Sequence, residues 1–166
     1  MVRTRLVDVV TFAMTAAVVV LLGAPIGLIW SAVAPHAHVV VEAGGAYIVD
    51  AETEVFIAGD GWFIGITLLI GVVCGVLAWL AARRSGPFVV VALAVGGFAA
   101  AYVASRVGVR IGQDALRDAV RNGRQGTYVG NIALQAKWAA LVAWPLGAVA
   151  SFAALVAARI DDLDGR

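Results

Sequence analysis

The sequence is poor in cysteine and in charged residues, and both shortages narrow what the protein can be. Its single cysteine, Cys74, excludes an intrachain disulfide and a cysteine-rich metal site. Only 14% of the 166 residues are charged, whereas 62% are hydrophobic, and the mean hydropathy is +0.94. These values exceed those of a soluble domain of this size and indicate an integral membrane protein.

Charge is absent from four long stretches of the chain. Each can cross a hydrocarbon layer of about 30 Å as a helix that rises about 1.5 Å per residue. We therefore predict a single all-α integral membrane domain with four transmembrane helices built around these stretches, over residues 9–34, 61–82, 86–106 and 132–158. The first stretch is longer than the apolar part of a typical signal peptide, so we interpret it as an uncleaved helix. The long connections, residues 35–60 and 107–131, then share one side of the membrane.

The orientation follows from the position of the basic residues. Lys and Arg divide equally between the two sides, so their totals do not decide it. Arg3, Arg5, Arg83 and Arg84 lie in short segments next to helix ends, where positive charge favours the cytoplasmic side. We therefore predict that both termini are cytoplasmic and that both long connections are outside.

Small residues recur four positions apart in every predicted span. Such spacing gives a helix a smooth strip, along which another helix can approach closely in lipid. Packing within one four-helix bundle, a self-association face and chance are all open interpretations. The glycines concerned are Gly23, Gly27, Gly71, Gly75, Gly96 and Gly147. Pro25 and Pro145 fall inside the first and fourth spans and should bend both helices.

The first outer connection is acidic and contains a predicted β-hairpin. Two short β-prone runs, Val39–Glu42 and Ala46–Val49, flank a Gly44-Gly45 turn signal. A hairpin alone would be marginally stable, so it should pack against something else. The acidic residues of this connection are Glu42, Asp50, Glu52, Glu54 and Asp60.

The second outer connection is basic and predicts an amphipathic helix. On a helical wheel its arginines fall within a sector of roughly 60°; they are Arg106, Arg110, Arg117, Arg121 and Arg124. The helix should either continue the third span or break from it at Gly108 or Gly112, and it should end near Asn122-Gly123. Residues 126–131 are predicted to form a loop, with Asn131 as the cap of the fourth helix. Hairpin and amphipathic helix together would form a small outer cap.

Three interpretations of the arginine stripe remain open. It can be a solvated or headgroup-facing surface with Asp114–Arg117 and Asp118–Arg121 as local i,i+3 pairs. It can pair with the acidic connection, or it can bind an anionic ligand or partner. His36 and His38 match no zinc-binding spacing, so we predict no metal site.

The predicted spans also limit the function. Their charge-free cores hold no ionisable residue, which argues against a coupled transporter. No phosphate-binding glycine loop or local catalytic signature is found, and we assign no catalytic residue. We expect a non-enzymatic accessory or scaffold subunit of a cell-envelope complex. The alternatives are a binder of anionic lipid or envelope polymer, an oligomeric pore or facilitator, and an interfacial enzyme that uses acids such as Glu54 and Asp60. The expected partners are the lipid bilayer and a membrane protein or a second copy, with no cofactor and no nucleic acid.

Several short motifs carry a resemblance to a known family. They are Gly23-Ala-Pro-Ile-Gly-Leu-Ile-Trp30, Glu52-x-Glu54, Phe56-Ile-Ala-Gly-Asp-Gly61, and Gly71 with Gly75 ahead of Trp79. With them the chain resembles an uncharacterised family of small actinobacterial four-pass membrane proteins over most of residues 20–112. The resemblance implies a bacterial plasma membrane and the same four-helix layout. It brings no known activity, cofactor or catalytic residue.

Overall fold

Helices dominate the computed structural model, which describes residues 2–42, 45–48, 53–81, 88–111, 113–130 and 134–164. The helices are α1 (Val2–Leu21), α2 (Gly23–Val33), α3 (Thr53–Ala81), α4 (Phe88–Ile111), α5 (Asp114–Arg121) and α6 (Lys137–Asp164). The strands are β1 (Ala37–Glu42), β2 (Gly45–Ile48) and β3 (Gly126–Gly130). Among these described residues, four helical segments are long and apolar enough to cross a membrane: Phe12–Val33, Glu54–Ala81, Phe88–Ile111 and Lys137–Arg159. The predicted all-α, four-span architecture is confirmed.

The first span is interrupted near its proline. Leu22 separates α1 from α2, three residues before Pro25. Proline has no N–H, and its ring crowds the carbonyl four residues earlier, here that of Leu21. The interruption therefore lies where the sequence predicts it. By contrast, α6 continues through Pro145 as one helix, and a bend there stays a prediction.

Helix α4 lies between the N-terminal helices and α6, and α3 packs mainly against α6. The core between them contains large apolar side chains that are almost fully buried, among them Trp30, Phe63, Leu93 and Trp144. Two of these, Trp30 and Phe63, meet edge to face at 5.2 Å between ring centroids. This contact joins α2 to α3 at the end of the bundle from which the sheet extends.

The glycines singled out in the sequence lie at contacts between helices of the same chain. Gly23 and Gly27 face the backbone of α4, and a Cβ added at Gly23 would lie 2.5 Å from the Ala100 carbonyl oxygen. Gly71 and Gly75 face α6 at Trp144, Ala148 and Ser151, whereas Gly147 of α6 faces Leu68 of α3. Gly96 faces Ala16 of α1. Because the helix backbones meet at these positions, side chains there would push the helices apart.

A three-stranded antiparallel sheet covers one end of the bundle, in the order β2-β1-β3. Val39 in the central strand β1 pairs with Ile48 of β2 and with Tyr128 of β3. Ala37, Val39 and Val41 are buried, and the residues between them are half-buried or exposed. We call β1, β2, α5 and β3 the cap, and this end of the bundle the cap side.

The cap confirms the predicted hairpin and corrects the prediction of a loop at residues 126–131. Residues 126–130 form β3, which hydrogen-bonds to the edge of β1 that the hairpin leaves open. The short run is bounded by glycines and has no apolar periodicity of its own, so only its pairing partner makes it a strand. The hairpin turn at residues 43–44 and Val49 lie outside the described residues.

Helix α5 begins and ends close to the predicted positions. Helix α4 ends at Ile111, and α5 runs from Asp114 to Arg121. Gly123, at a φ of 61°, allows Arg124 N–H to reach the Ala119 carbonyl at 2.9 Å. This hydrogen bond, together with the one from Gly123 N–H to the Val120 carbonyl, is the Schellman arrangement that ends many helices.

Other boundaries differ from the sequence prediction. Helix α3 begins at Thr53, so Glu54 and Asp60 are helical rather than part of a connection. Helix α4 continues to Ile111, so Arg106 and Arg110 belong to the third span. The fourth helix begins at Lys137 rather than at residue 132, because Leu134, Gln135 and Ala136 are not helical.

Candidate functional site

A cavity of about 390 Å³ opens between α4, α5 and the start of α6 on the cap side. It gathers the cationic side chains of Arg106, Arg110, Arg117 and Lys137, and we call it the cationic cavity. The rest of the lining is Tyr102, Ser105, Val109, Leu134 and Leu141. Cations, hydroxyl groups and apolar side chains therefore line one space at an end of the membrane-spanning bundle.

The helical repeat of α4, and the break between α4 and α5, explain how these side chains meet. Tyr102, Arg106 and Arg110 recur every four residues and share one face of α4. After the break, Gln113 N–H bonds to the Arg110 carbonyl at 3.2 Å, and α5 begins there. Arg117 thus joins the cavity from a second helix. Lys137, the chain's single lysine, joins it from the first position of α6.

Neighbouring side chains hold two of the arginines. Nε and Nη2 of Arg106 donate hydrogen bonds to the Tyr102 hydroxyl oxygen at 3.1 and 3.0 Å. The Arg106 guanidinium carbon also lies 5.2 Å from the centre of the Tyr102 ring, within cation–π distance. Nη2 of Arg117 donates to the Gln113 side-chain oxygen at 3.1 Å. Both partners are neutral, so neither places a negative charge beside its guanidinium group.

No described carboxylate pairs with the cations of the cavity. Within the described residues, its four cationic side chains form no ion pair. The local pairs considered above, Asp114–Arg117 and Asp118–Arg121, are also not formed in this part of the chain. Four like charges that share a cavity repel each other, and an anion among them would relieve that repulsion.

The described acids of the first connection do not line the cationic cavity. Glu42 at the end of β1 and Glu54 in the first turn of α3 are exposed. Asp50 and Glu52 lie outside the described residues. The two connections therefore come together through the backbone pairing of β1 with β3, and the structure records no ion pair between their described residues.

Asp60, the buried acid of this connection, caps a helix. It is 9% exposed, and its carboxylate accepts hydrogen bonds from the N–H groups of Gln135 at 3.2 Å and Ala136 at 2.7 Å. These groups immediately precede α6, where free N–H groups and the helix dipole favour a negative charge. The predicted cap, Asn131, lies outside the described residues. Asp60, 75 residues away, fills the capping role and thereby fixes the start of α6, where Lys137 lies.

Trp30 supports the same region. Its indole N–H donates to the Gly59 carbonyl at 3.1 Å, and only 2% of its surface is exposed. Trp30 is therefore a core residue of the bundle. Its contact holds the chain beside Asp60 in place.

The structure divides the predicted arginine stripe. Arg106, Arg110 and Arg117 line the cavity, whereas Arg121 and Arg124 are exposed and do not line it. A helical wheel drawn for one continuous helix places all of these arginines on one face. Because α4 ends at Ile111 and α5 begins at Asp114, one wheel does not describe both helices. Sequence reasoning missed the contributions of Lys137, Tyr102 and Ser105. A lone lysine at the start of the fourth span, next to Trp138, was the available signal for the first of these.

His36 and His38 do not belong to a recognisable metal site in the described part of the chain. There, no group of three His, Cys, Asp or Glu side chains is arranged to hold a metal ion. The candidate site is therefore the cationic cavity.

Comparison with known proteins identifies the lineage of the chain. No family model and no solved structure matches it. An uncharacterized protein of Mycobacterium leprae is 34% identical over an alignment that covers 87% of this chain and 82% of that protein. The chain belongs to the family of this mycobacterial protein. The actinobacterial relationship implied by the sequence motifs is thus confirmed. The mycobacterial protein is itself uncharacterized, so it suggests no activity for this chain.

The lining of the cationic cavity determines which groups it can bind. Its lining supplies hydrogen-bond donors from Arg, Lys, Tyr and Ser, and contains no Asp, Glu, His or Cys among the residues described. Arginine forks match the oxygens of phosphate and carboxylate groups, and lysine adds a point charge. The described lining is therefore suited to holding an anionic group.

Proposed function

We propose that this protein is a non-enzymatic, multi-pass protein of the bacterial plasma membrane that binds an anionic group at its cap side. The observation that carries the proposal is the convergence of Arg106, Arg110, Arg117 and Lys137 on one cavity without a carboxylate partner among the described residues. Phosphate is the preferred candidate anion, since it offers several oxygens to several donors at once.

The described surroundings of the cavity support a prepared site. Arg106 is already held against Tyr102, and Arg117 against Gln113. Side chains that are held before the ligand arrives lose less conformational freedom on binding. Arg110 and Lys137 can then close on the ligand from α4 and α6.

Binding of a soluble phosphate compound tests the proposal. The full-length protein in neutral detergent is titrated with glycerol phosphate at low salt, and the shift of its thermal unfolding midpoint gives the affinity. Replacing both Arg110 and Arg117 by Gln removes two charged donors, each worth about 1.5–3 kcal/mol in an ideal geometry. Because both side chains are exposed, we expect a smaller loss, of about tenfold in affinity.

The matched control removes the same charge outside the cavity. Arg121 and Arg124 are replaced together by Gln, and the affinity should stay within about twofold of the unmodified protein, apart from general screening effects. An equal loss in both double variants would show that only the overall charge matters. That result would reject the cavity as a specific site.

We also propose that the cap side faces outwards, on the basis of the arginines in the short segments of the other side. Thr127 of β3 and Arg159 of α6 are exposed and lie toward opposite ends of the bundle. In a Cys74→Ala background, an impermeant maleimide on intact cells should label Thr127→Cys directly. It should label Arg159→Cys only after permeabilisation, and the reverse pattern would invert the proposed topology.

A second candidate function is that of an accessory or scaffold subunit in a membrane complex. The exposed face of the cap sheet favours it, because Tyr47 and Val129 are 56% and 49% exposed there. In the register of the sheet, Tyr47 lies opposite Val40 and Val129 opposite His38, so all four share one face. Mild extraction at native abundance followed by mass spectrometry should then recover a stoichiometric protein partner. Recovery of the chain alone would remove this candidate.

A further inference from the structure

The cationic cavity lies where a membrane lipid would place its headgroup. Tyr102, Arg106 and Arg110 span eight residues of α4, or about 12 Å along the helix axis, at the cap-side end of a span that runs from Phe88 to Ile111. Tyrosine and arginine in this position are typical of the interface between hydrocarbon and headgroups. The cavity is thus accessible to a group that is itself held in the interface.

One wall of the cavity is apolar. Val109, Leu134 and Leu141 line it together with the cations, and the last two are only 5% and 8% exposed. A free inorganic anion gains nothing from such a wall, whereas an amphiphile has apolar surface to bury against it. This mixture of charge and apolar surface distinguishes an amphiphilic ligand from a soluble one.

A pair of aromatic side chains, Phe98 and Trp138, lies beside the cavity between α4 and α6. Phe98 lies one turn before Tyr102 on the same face of α4, and its ring stacks on Trp138 of α6 at 6.4 Å between centroids and 20° between planes. Residues 134–139 line a second depression of about 440 Å³, which shares Leu134 and Lys137 with the cavity. We call the exposed surface of Phe98 and Trp138 between α4 and α6 the aromatic seam.

We infer that the occupant of the cavity is an anionic phospholipid of the leaflet on the cap side, with its phosphate among Arg106, Arg110, Arg117 and Lys137 and an acyl chain along the aromatic seam. The inference rests on the proposed anion-binding function and names the class of ligand. Trp138 is 76% exposed, so its indole surface is available to the acyl chain, while Lys137 beside it reaches the phosphate.

The experiment compares a lipid with its own headgroup. The full-length protein in neutral detergent is titrated separately with phosphatidylglycerol, with phosphatidylcholine of the same acyl chains, and with glycerophosphoglycerol, the deacylated headgroup. Bound lipid is counted by mass spectrometry of the intact complex, and affinities come from the thermal shift. We expect phosphatidylglycerol to bind at least about tenfold more tightly than either of the other compounds, a difference of about 1.4 kcal/mol.

Changes in the seam separate the acyl-chain contact from the headgroup contact. Trp138→Ala should weaken phosphatidylglycerol about fivefold and leave glycerophosphoglycerol unchanged, because only the lipid has a chain to lose its contact. Trp62→Ala is the matched control: Trp62 is 53% exposed on α3 and lines neither the cavity nor the second depression, so its loss should change neither affinity. Phe98→Ala is a second seam variant, used if Trp138→Ala lowers the unfolding temperature without ligand.

The outcomes separate the inference from the function on which it rests. Equal affinity for lipid and deacylated headgroup, lost in the Arg110→Gln, Arg117→Gln variant, would overturn the lipid assignment and keep anion binding. Equal affinity for phosphatidylglycerol and phosphatidylcholine would overturn the role of the charge. Failure of every phosphate compound to bind would overturn both proposals. Unchanged lipid affinity in both seam variants would overturn the path of the acyl chain.

Discussion

Replacing Asp60 by alanine removes both acceptors that this carboxylate presents to the start of α6. In the native protein they receive the N–H groups of Gln135 and Ala136 at 3.2 and 2.7 Å. The carboxylate is 9% exposed, and it links α3 to a helix that begins far along the chain. Its loss should therefore loosen the contact between two transmembrane helices, not only the end of one.

The magnitude follows from the chemistry of the cap. A hydrogen bond to a charged group contributes about 1.5–3 kcal/mol, and a carboxylate at a partly buried helix N-terminus up to about 2 kcal/mol. These figures describe the same contact in part, so they do not add. Gln135 and Ala136 are exposed, and water can replace some of the lost bonding. We expect Asp60→Ala to lower the free energy of unfolding by about 2–3 kcal/mol, and Asp60→Asn, which keeps one acceptor, by about 1 kcal/mol.

Unfolding in mixed micelles measures the effect. The mole fraction of a denaturing detergent is raised and the tryptophan fluorescence is followed, so that free energies of unfolding can be compared between variants. Glu54→Ala is the control, since it removes an exposed acid from the same helix and should cost less than about 1 kcal/mol. If Asp60→Ala costs no more than Glu54→Ala, the cross-helix cap has no energetic role and our account of the start of α6 is wrong.

Three further substitutions test the packing of the bundle by the same unfolding measurement. Gly71→Leu should destabilise the bundle by about 1–3 kcal/mol, because the added side chain would meet the backbone of α6. Gly65→Leu on the same helix is the control. Gly65 has no neighbour within 4 Å, so this change should be neutral or slightly stabilising. Equal effects of these two would contradict a close α3–α6 contact. Trp30→Phe should lower the free energy of unfolding by about 1 kcal/mol, because the Gly59 carbonyl loses the indole N–H as its donor. Unchanged stability would show that this hydrogen bond does not contribute. The Ser151 hydroxyl donates to the Val72 carbonyl at 3.1 Å. Ser151→Ala should therefore lower the free energy of unfolding by about 0.6 kcal/mol, the average for hydrogen bonds between membrane helices. A loss above about 2 kcal/mol would indicate a further role for Ser151.

The arginine stripe shows how far sequence reasoning reaches at the candidate site. Periodicity correctly gathers Arg106 and Arg110 on one face, because both belong to a single helix. It fails beyond Ile111, where α4 ends, because Arg117 belongs to the separate helix α5. Lys137 lies 20 residues beyond Arg117 in the numbering, and no local pattern links the two. Only the packing of α6 against α4 brings it into the same cavity.

Asp60 illustrates the same limit for a buried charge. In the sequence it is one of several acids in a polar connection, and its spacing resembles that of its neighbours. Its role depends on the position of the first N–H groups of α6, and this position is set by the contact between α3 and α6 through Gly71, Gly75 and Gly147.

The sequence by itself determined the membrane-spanning segments, the hairpin and the end of α5, because each depends on local composition, turn residues or capping geometry. The tertiary structure alone decided the pairing of β3 with β1, the cap that Asp60 forms for α6, and the selection of Arg106, Arg110, Arg117 and Lys137 from the basic residues. These features join residues far apart in the chain. Their energies depend on distances that are set only when the helices pack, so no local pattern in the sequence encodes them.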